Sequence, residues 1–293
     1  MLNRPDPRSM LARSVYWGSP MKLFSRERWH RYVGRPIEGG ATTDTQHVID
    51  EILSQHRYWP VFQPIRDLGS NRIVGYEALT RFDAQQTPQR LFDHAGLVGR
   101  GRDLELATMR AAVKAATELP ANAWVSINSS AALLSETDMI GTILDALDRP
   151  AVIELSEHEM ITDYRPISTA MQRLGPGRSL ALDDAGSGLT SLRHILDVRP
   201  AYVKMDISLV QGAATDPSRQ ALVAGFVHFA RDADFTLVAE GIQSEDDLET
   251  LKGLGVVLGQ GYLLGRPERA AFLDDQPATA TSARRHVQRV RST

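Results

Sequence analysis

The sequence predicts an α/β protein whose parallel strands close into a barrel, and three observations predict it. Short apolar runs alternate with segments of helical period along most of the chain. About eight of those runs are strand candidates, which favours a closed barrel over an open doubly wound sheet. Most informative is how the runs end: on a carboxylate, an amide or an ammonium, as strands do where they converge on a barrel mouth. A length of 293 residues agrees with this, because one such barrel takes roughly 250.

Taken in order, the chain opens differently. Arg26, Arg28, His30, Arg31 and Arg35 crowd together, and Glu38 to Asp44 reads as a flexible join. Residues 1–45 are therefore expected to be a basic, mostly flexible arm, either a solvated leader or a docking or oligomerisation segment with a protein partner. Residues 46–270 are expected to form the barrel, and 271–293 a disordered tail. Val61–Ile65 and Ile73–Glu77 read as a strand pair joined at Gly69-Ser70-Asn71. A helix follows over Leu104–Leu119, stopped by Pro120. Ile140, Ile143, Leu144 and Leu147 mark one helical face, and Ile167, Met171 and Leu174 another, ending at Gly175-Pro176. Pro217 occupies a first-turn position, and Ser244 with Asp247 reads as a capping pair.

Composition narrows the function. A net charge of -3 and a pI near 6.3 argue against a dedicated nucleic-acid binder. The absence of cysteine removes disulfides, thiolate nucleophiles and zinc–cysteine sites, and fits a cytoplasmic location. No apolar stretch reaches the roughly 20 residues that span a bilayer, and the N-terminus has no signal-peptide pattern.

If the strand ends converge, Glu77, Asn128, Glu154, Asp183 and Asp184 supply hard oxygen ligands without sulfur or neighbouring imidazole. Such a set suits Mg²⁺ or Mn²⁺, and adjacent aspartates suit two ions that activate water on a phosphodiester. Lys204 could steady developing charge or hold the water, Glu240 could accept a proton, and Asp206 could orient the lysine from the same strand face. Each residue alone is more ordinarily a cap, a loop anchor or a solvated strand end. A barrel lysine also suits a Schiff-base aldolase, although that leaves Glu154 and Asp183-Asp184 without a role. His158, His194 and His228 have no metal-binding spacing and read as structural, and Gly186-Ser187-Gly188 lacks a P-loop frame.

The ordered set Phe62-Gln63-Pro64-Ile65, Tyr76-Glu77-Ala78-Leu79-Thr80-Arg81, Ile127-Asn128-Ser129-Ser130, Ile153-Glu154-Leu155-Ser156-Glu157, Leu182-Asp183-Asp184, Val203-Lys204-Met205-Asp206, Val238-Ala239-Glu240-Gly241 and Gly259-Gln260-Gly261-Tyr262 resembles the EAL domains, the cyclic di-GMP phosphodiesterases. The resemblance spans roughly Gln46 to Arg269. It implies a modified TIM (β/α)8 barrel with one antiparallel strand. It also implies metal-dependent hydrolysis of cyclic di-GMP to linear pGpG with two Mg²⁺ or Mn²⁺ ions, inhibition by Ca²⁺, and a homodimer. Metal ligands would be Glu77, Asn128, Glu154, Asp183 and Asp184, with Gln260 holding a metal-bound water. Glu240 would be the general base, Lys204 the water-positioning lysine, with Asp206 beside it. Gln63, Leu79 and Arg81 would contact substrate, and Glu157 would steady the loop after the aspartate pair. That loop departs from the family pattern at Ala185, Leu189 and Thr190, as does Ile207 beyond the lysine. The departures favour the alternative of a weak or inactive domain that acts as a cyclic di-GMP receptor or protein-interaction module; the retained ligands favour the enzyme.

Overall fold

The computed structural model describes residues 39–156, 163–185 and 191–273; of residues 39–42, 156, 184 and 191–194 it describes the backbone alone. The arm before residue 39, Glu157, His158, the Gly186–Thr190 loop and the tail past 273 lie outside the described residues.

Eight strands close into a barrel in sequence order. They are β1 (Tyr58–Asp67), β2 (Ile73–Phe82), β3 (Trp124–Asn128), β4 (Ala151–Ser156), β5 (Arg178–Ala185), β6 (Tyr202–Met205), β7 (Thr236–Ala239) and β8 (Leu258–Gly259). Strand β1 runs antiparallel to both neighbours, and all other pairs are parallel. The cause is local. β1 and β2 are joined by a tight turn in which the Asp67 carboxylate accepts the N–H and hydroxyl of Ser70, and Asn71 takes a positive φ of 56°. A turn that short can only return the chain beside itself. The sequence-derived strand pair is therefore present, with β1 running past both of its expected ends and β2 starting at Ile73 as expected but continuing past Glu77 to Phe82.

Helices cover the barrel: α1 (Gly39–Ser54), α2 (Pro88–Leu97), α3 (Gly101–Ala116), α4 (Ala131–Leu134), α5 (Thr137–Leu144), α6 (Arg165–Leu174), α7 (Ser191–Val198), α8 (Ile207–Val210), α9 (Pro217–Asp232) and α10 (Glu245–Gly253). Their starts follow from side-chain caps. Asp216 accepts the Ser218 and Arg219 N–H groups ahead of Pro217, and Ser244 accepts the Asp247 N–H. The join expected through Asp44 is instead helical from Gly39. Its two glycines disfavour a helix, but Ile49 and Ile52 of the same helix bury against Phe82, Leu91 and Phe92, and that packing wins.

Alternation along the strands divides the side chains in two. Outward residues such as Tyr76, Val125, Ile153, Leu182 and Val203 form the main core with the helices. Ile65, Val238 and Leu258 pack with Val74, Trp124 and Tyr202 as the apolar floor of the barrel. A Cβ on Gly75 would collide with the Trp124 ring, so glycine is what lets that indole lie flat across the floor.

Candidate active site

Directly above the floor the inward positions turn polar. Gln63 faces Glu77 across the β1–β2 register, Asn128 faces Glu154 across β3–β4, and Lys204 faces Val238 across β6–β7. The Lys204 Nζ sits 2.9 Å from Glu240, 3.0 Å from Glu154, 3.3 Å from Glu77 and 3.5 Å from Asp183. The lysine is 2% exposed and Glu154 1%, so these charges act on one another with little help from water. Burial alone would lower the lysine pKa, but Asp183, Glu154, Glu240 and Glu77 outweigh it and hold the ammonium well above its ordinary value. Glu154 moves the other way for a carboxyl: burial raises its pKa, Lys204 opposes, and repulsion from Glu77 and Asp183 raises it further. A register shift between Leu182 and Ala185 interrupts the β5–β6 pairing at the aspartate pair. Such bulges re-aim side chains beside functional sites.

Amides close one side of the cluster. Gln260 Nε2 donates to Glu77 Oε2 at 2.6 Å and to Gln63 Oε1 at 3.0 Å, and Gln63 Nε2 donates to the Gly265 carbonyl at 3.0 Å. The Gln260 Oε1 is buried and, among the described residues, meets no hydrogen-bond donor. Higher on β2 lie Leu79 and Arg81; burial lowers the Arg81 pKa, while Tyr262 and Glu77 pull it back up.

The expected residues thus fall into three groups. Glu77, Glu154, Asp183, Lys204, Glu240, Gln63 and Gln260 come together within one buried layer. Asn128 is the register partner of Glu154, Leu79 and Arg81 lie two and four residues beyond Glu77 on β2, and Asp184 contributes a strand position only, its side chain being outside the described residues. Asp206 follows directly on β6. Strand β6 stops at Met205, and the Asp206 carboxylate accepts the Ser208 N–H as the cap of α8. Among the described residues, Glu77, Glu154, Asp183 and Glu240 carry acidic groups within 4.0 Å of the Lys204 ammonium. His228 is exposed on α9, with Arg231 against its Nδ1 and Asp232 near its Nε2.

One supporting residue escaped sequence reasoning. Glu105 of α3 accepts the Ser130 N–H at 3.0 Å and shares a small cavity with Asn128 and Thr80. Burial raises its pKa while the Ser130 contact lowers it. It anchors the turn that follows Asn128. A lone glutamate between the buried Leu104 and Leu106 was the available signal.

A closed barrel with an acidic, amide-edged cluster at the ends of its strands defines an α/β-barrel protein of the kind that works at its mouth. The chain belongs to the EAL domain family, whose model matches residues 47–267. It is 26% identical over 265 residues to the cyclic di-GMP phosphodiesterase PA2567 of Pseudomonas aeruginosa, covering 84% of this chain and 45% of that protein. It is 27% identical over 240 residues to the cyclic di-GMP phosphodiesterase PdeL of Escherichia coli, covering 76% and 66%. This chain therefore spans about half to two thirds of those relatives. Among solved structures, Klebsiella pneumoniae BlrP1 in complex with manganese and cyclic di-GMP superposes with a TM-score of 0.66 at 28% identity, covering 72% of this chain and 56% of that one. The Xanthomonas citri FimX EAL domain shares the fold, with a TM-score of 0.69 at 17% identity over 78% of this chain and 95% of that one. No helix among the described residues is long and apolar enough to cross a membrane.

Proposed function

We propose that this chain hydrolyses cyclic di-GMP to linear pGpG with the help of Mg²⁺ or Mn²⁺. The observation that carries the reading is the cluster itself: four carboxylates crowd one buried ammonium. A layer with that excess of negative charge is suited to hold further cations. The residues fit such ions. Every donor is oxygen, the buried Gln260 Oε1 meets no donor among the described residues, and Glu154 lies beside the Glu77 and Asp183 carboxylates around one ammonium. Among the described residues no three acidic or imidazole groups close around a point of their own, so divalent ions would share carboxylates with Lys204. Glu77, Asn128, Glu154, Asp183 and Asp184 would hold them, with Gln260 at their edge. When bound, the ions lower the pKa of water and offset charge on the phosphodiester.

The chain's own groups do the rest. Glu240, at the rim of the layer, takes the proton from the attacking water, and Lys204 holds that water and steadies the charge growing on phosphate oxygen. Gln63, Leu79 and Arg81 orient the dinucleotide. The relatives named as cyclic di-GMP phosphodiesterases support this substrate. A cytoplasmic homodimer remains part of the reading, with cyclic di-GMP, rather than nucleic acid or a membrane, as its partner.

The test is production of pGpG by the purified chain with Mg²⁺ or Mn²⁺, followed by chromatography. Calcium and Glu77→Ala should each suppress it. Glu240→Gln should slow turnover on the order of 10²-fold or more while leaving metal binding in place. Tight binding of intact cyclic di-GMP without product would make the chain a receptor instead.

A further inference from the structure

Above the acidic layer the mouth carries a surface of the opposite character. Trp59 pairs with Arg81 on β1–β2 just as Gln63 pairs with Glu77 four residues along. An even spacing places all four on one face of the ribbon. The other face is accounted for: Tyr58 and Phe82 pack with Phe92 and with Ile49 and Ile52 of α1. Trp59 and Arg81 therefore look into the mouth, and at about 3.3 Å per residue their backbone lies roughly 13 Å along the ribbon from Gln63 and Glu77, with the Arg81 charge still acting on Glu77.

The chain past β8 returns to this ribbon and is pinned there. Phe62 and Glu268 exchange both backbone hydrogen bonds, at 2.6 and 3.0 Å, and Gln63 holds the Gly265 carbonyl. The seam sets the Arg269 guanidinium 5.4 Å from the centre of the Trp59 ring and that of Arg266 4.4 Å from Tyr262. Trp59 is only half-buried and Arg269 is exposed, so neither is needed to fill a core. A half-buried indole with a cation fixed on it, beside further guanidinium groups, suits a flat aromatic ring carried by an anion.

The geometry points to a purine shelf: Trp59, backed by Arg269, stacks the nucleobase of the substrate that lies away from the phosphodiester being cut. The inference rests on the proposed cyclic dinucleotide substrate. A molecule that sets one phosphate beside Lys204 must carry its second base outward, toward the rim. The shelf would make this chain prefer dinucleotides to single-nucleotide phosphodiesters through binding rather than through the chemical step.

The experiment uses the full chain. Cyclic di-GMP is titrated calorimetrically into Glu240→Gln protein with Mg²⁺, alone and combined with Trp59→Leu, Trp59→Phe or Arg269→Met, and KM and kcat are measured in the active background. Trp59→Leu should weaken affinity and raise KM roughly tenfold with kcat little changed, and Trp59→Phe should restore most of the loss. Arg269→Met should cost about two- to threefold. Unchanged affinity in a folded Trp59→Leu protein overturns the shelf while leaving the proposed function standing. If Trp59→Leu does not fold, unchanged affinity in Arg269→Met overturns it. A parent chain that binds no cyclic di-GMP overturns the proposed function and the shelf together.

Discussion

Glu154 in the barrel and Asp247 at the start of α10 are both buried carboxylates, and their surroundings treat them in opposite ways. Glu154 shares one ammonium with three other acids, and burial with that crowding drives its pKa up. Asp247 accepts the N–H groups of Gly212 and Ala214 and the Ser244 hydroxyl. Burial alone would raise its pKa, yet those hydrogen bonds together hold it below the usual aspartate range. The difference teaches where the molecule stores electrostatic strain. It is relieved where two loops are merely fastened together, and kept where ions and a phosphodiester are to be met.

The harshest way to break the contrast is Lys204→Met. Four acids would lose their shared cation, which should destabilise the fold by roughly 3–5 kcal/mol and end turnover. Denaturant unfolding checks the first, and Mg²⁺ or Mn²⁺ should recover part of that stability by mass action on the native state. A smaller loss, about 1–3 kcal/mol, is expected for Asp247→Ala, which strands two backbone donors, with turnover per folded molecule preserved. Asp247 also sets an acid limit with a definite sign. Its folded pKa is depressed, so its contribution is complete above the unfolded value of about 3.9 and disappears as pH falls through the folded one. In Asp247→Asn that part of the acid-unfolding curve should flatten. The smallest effect should have the reverse sign: Glu154→Gln removes one crowded charge and should leave stability unchanged or raised by up to about 1 kcal/mol, while abolishing hydrolysis. A clear loss of stability in Glu154→Gln would show that its pairing with Lys204 outweighs the crowding.

Much of this was legible because side chains alternate between the two faces along most of each strand. Once Glu77, Glu154, Lys204 and Glu240 are placed on the inward face, the barrel has only one place to put them, and it brings the three carboxylates within 3.3 Å of the Lys204 Nζ, Glu77 from mid-strand rather than from a strand end. Three features were not. Asp206 lies two residues past Lys204, and nothing in the strand pattern signals that its carboxylate also caps the next helix. Gly39 to Asp44 has turn composition, but its helix is decided by contacts with β2 and α2 that are distant in sequence. The Trp59–Arg269 pair joins positions so far apart that only the Phe62–Glu268 seam reveals it.

The reversed first strand has a mechanical consequence. In a barrel of uniformly parallel strands the chain would enter at the floor and leave at the mouth. Here it enters β1 at the mouth and departs past Glu268 at the same pole, along the neighbouring stretch of wall. A pull on the two ends therefore opens the β1–Glu268 seam like a zipper, loading its hydrogen bonds one after another, instead of shearing the barrel along its length.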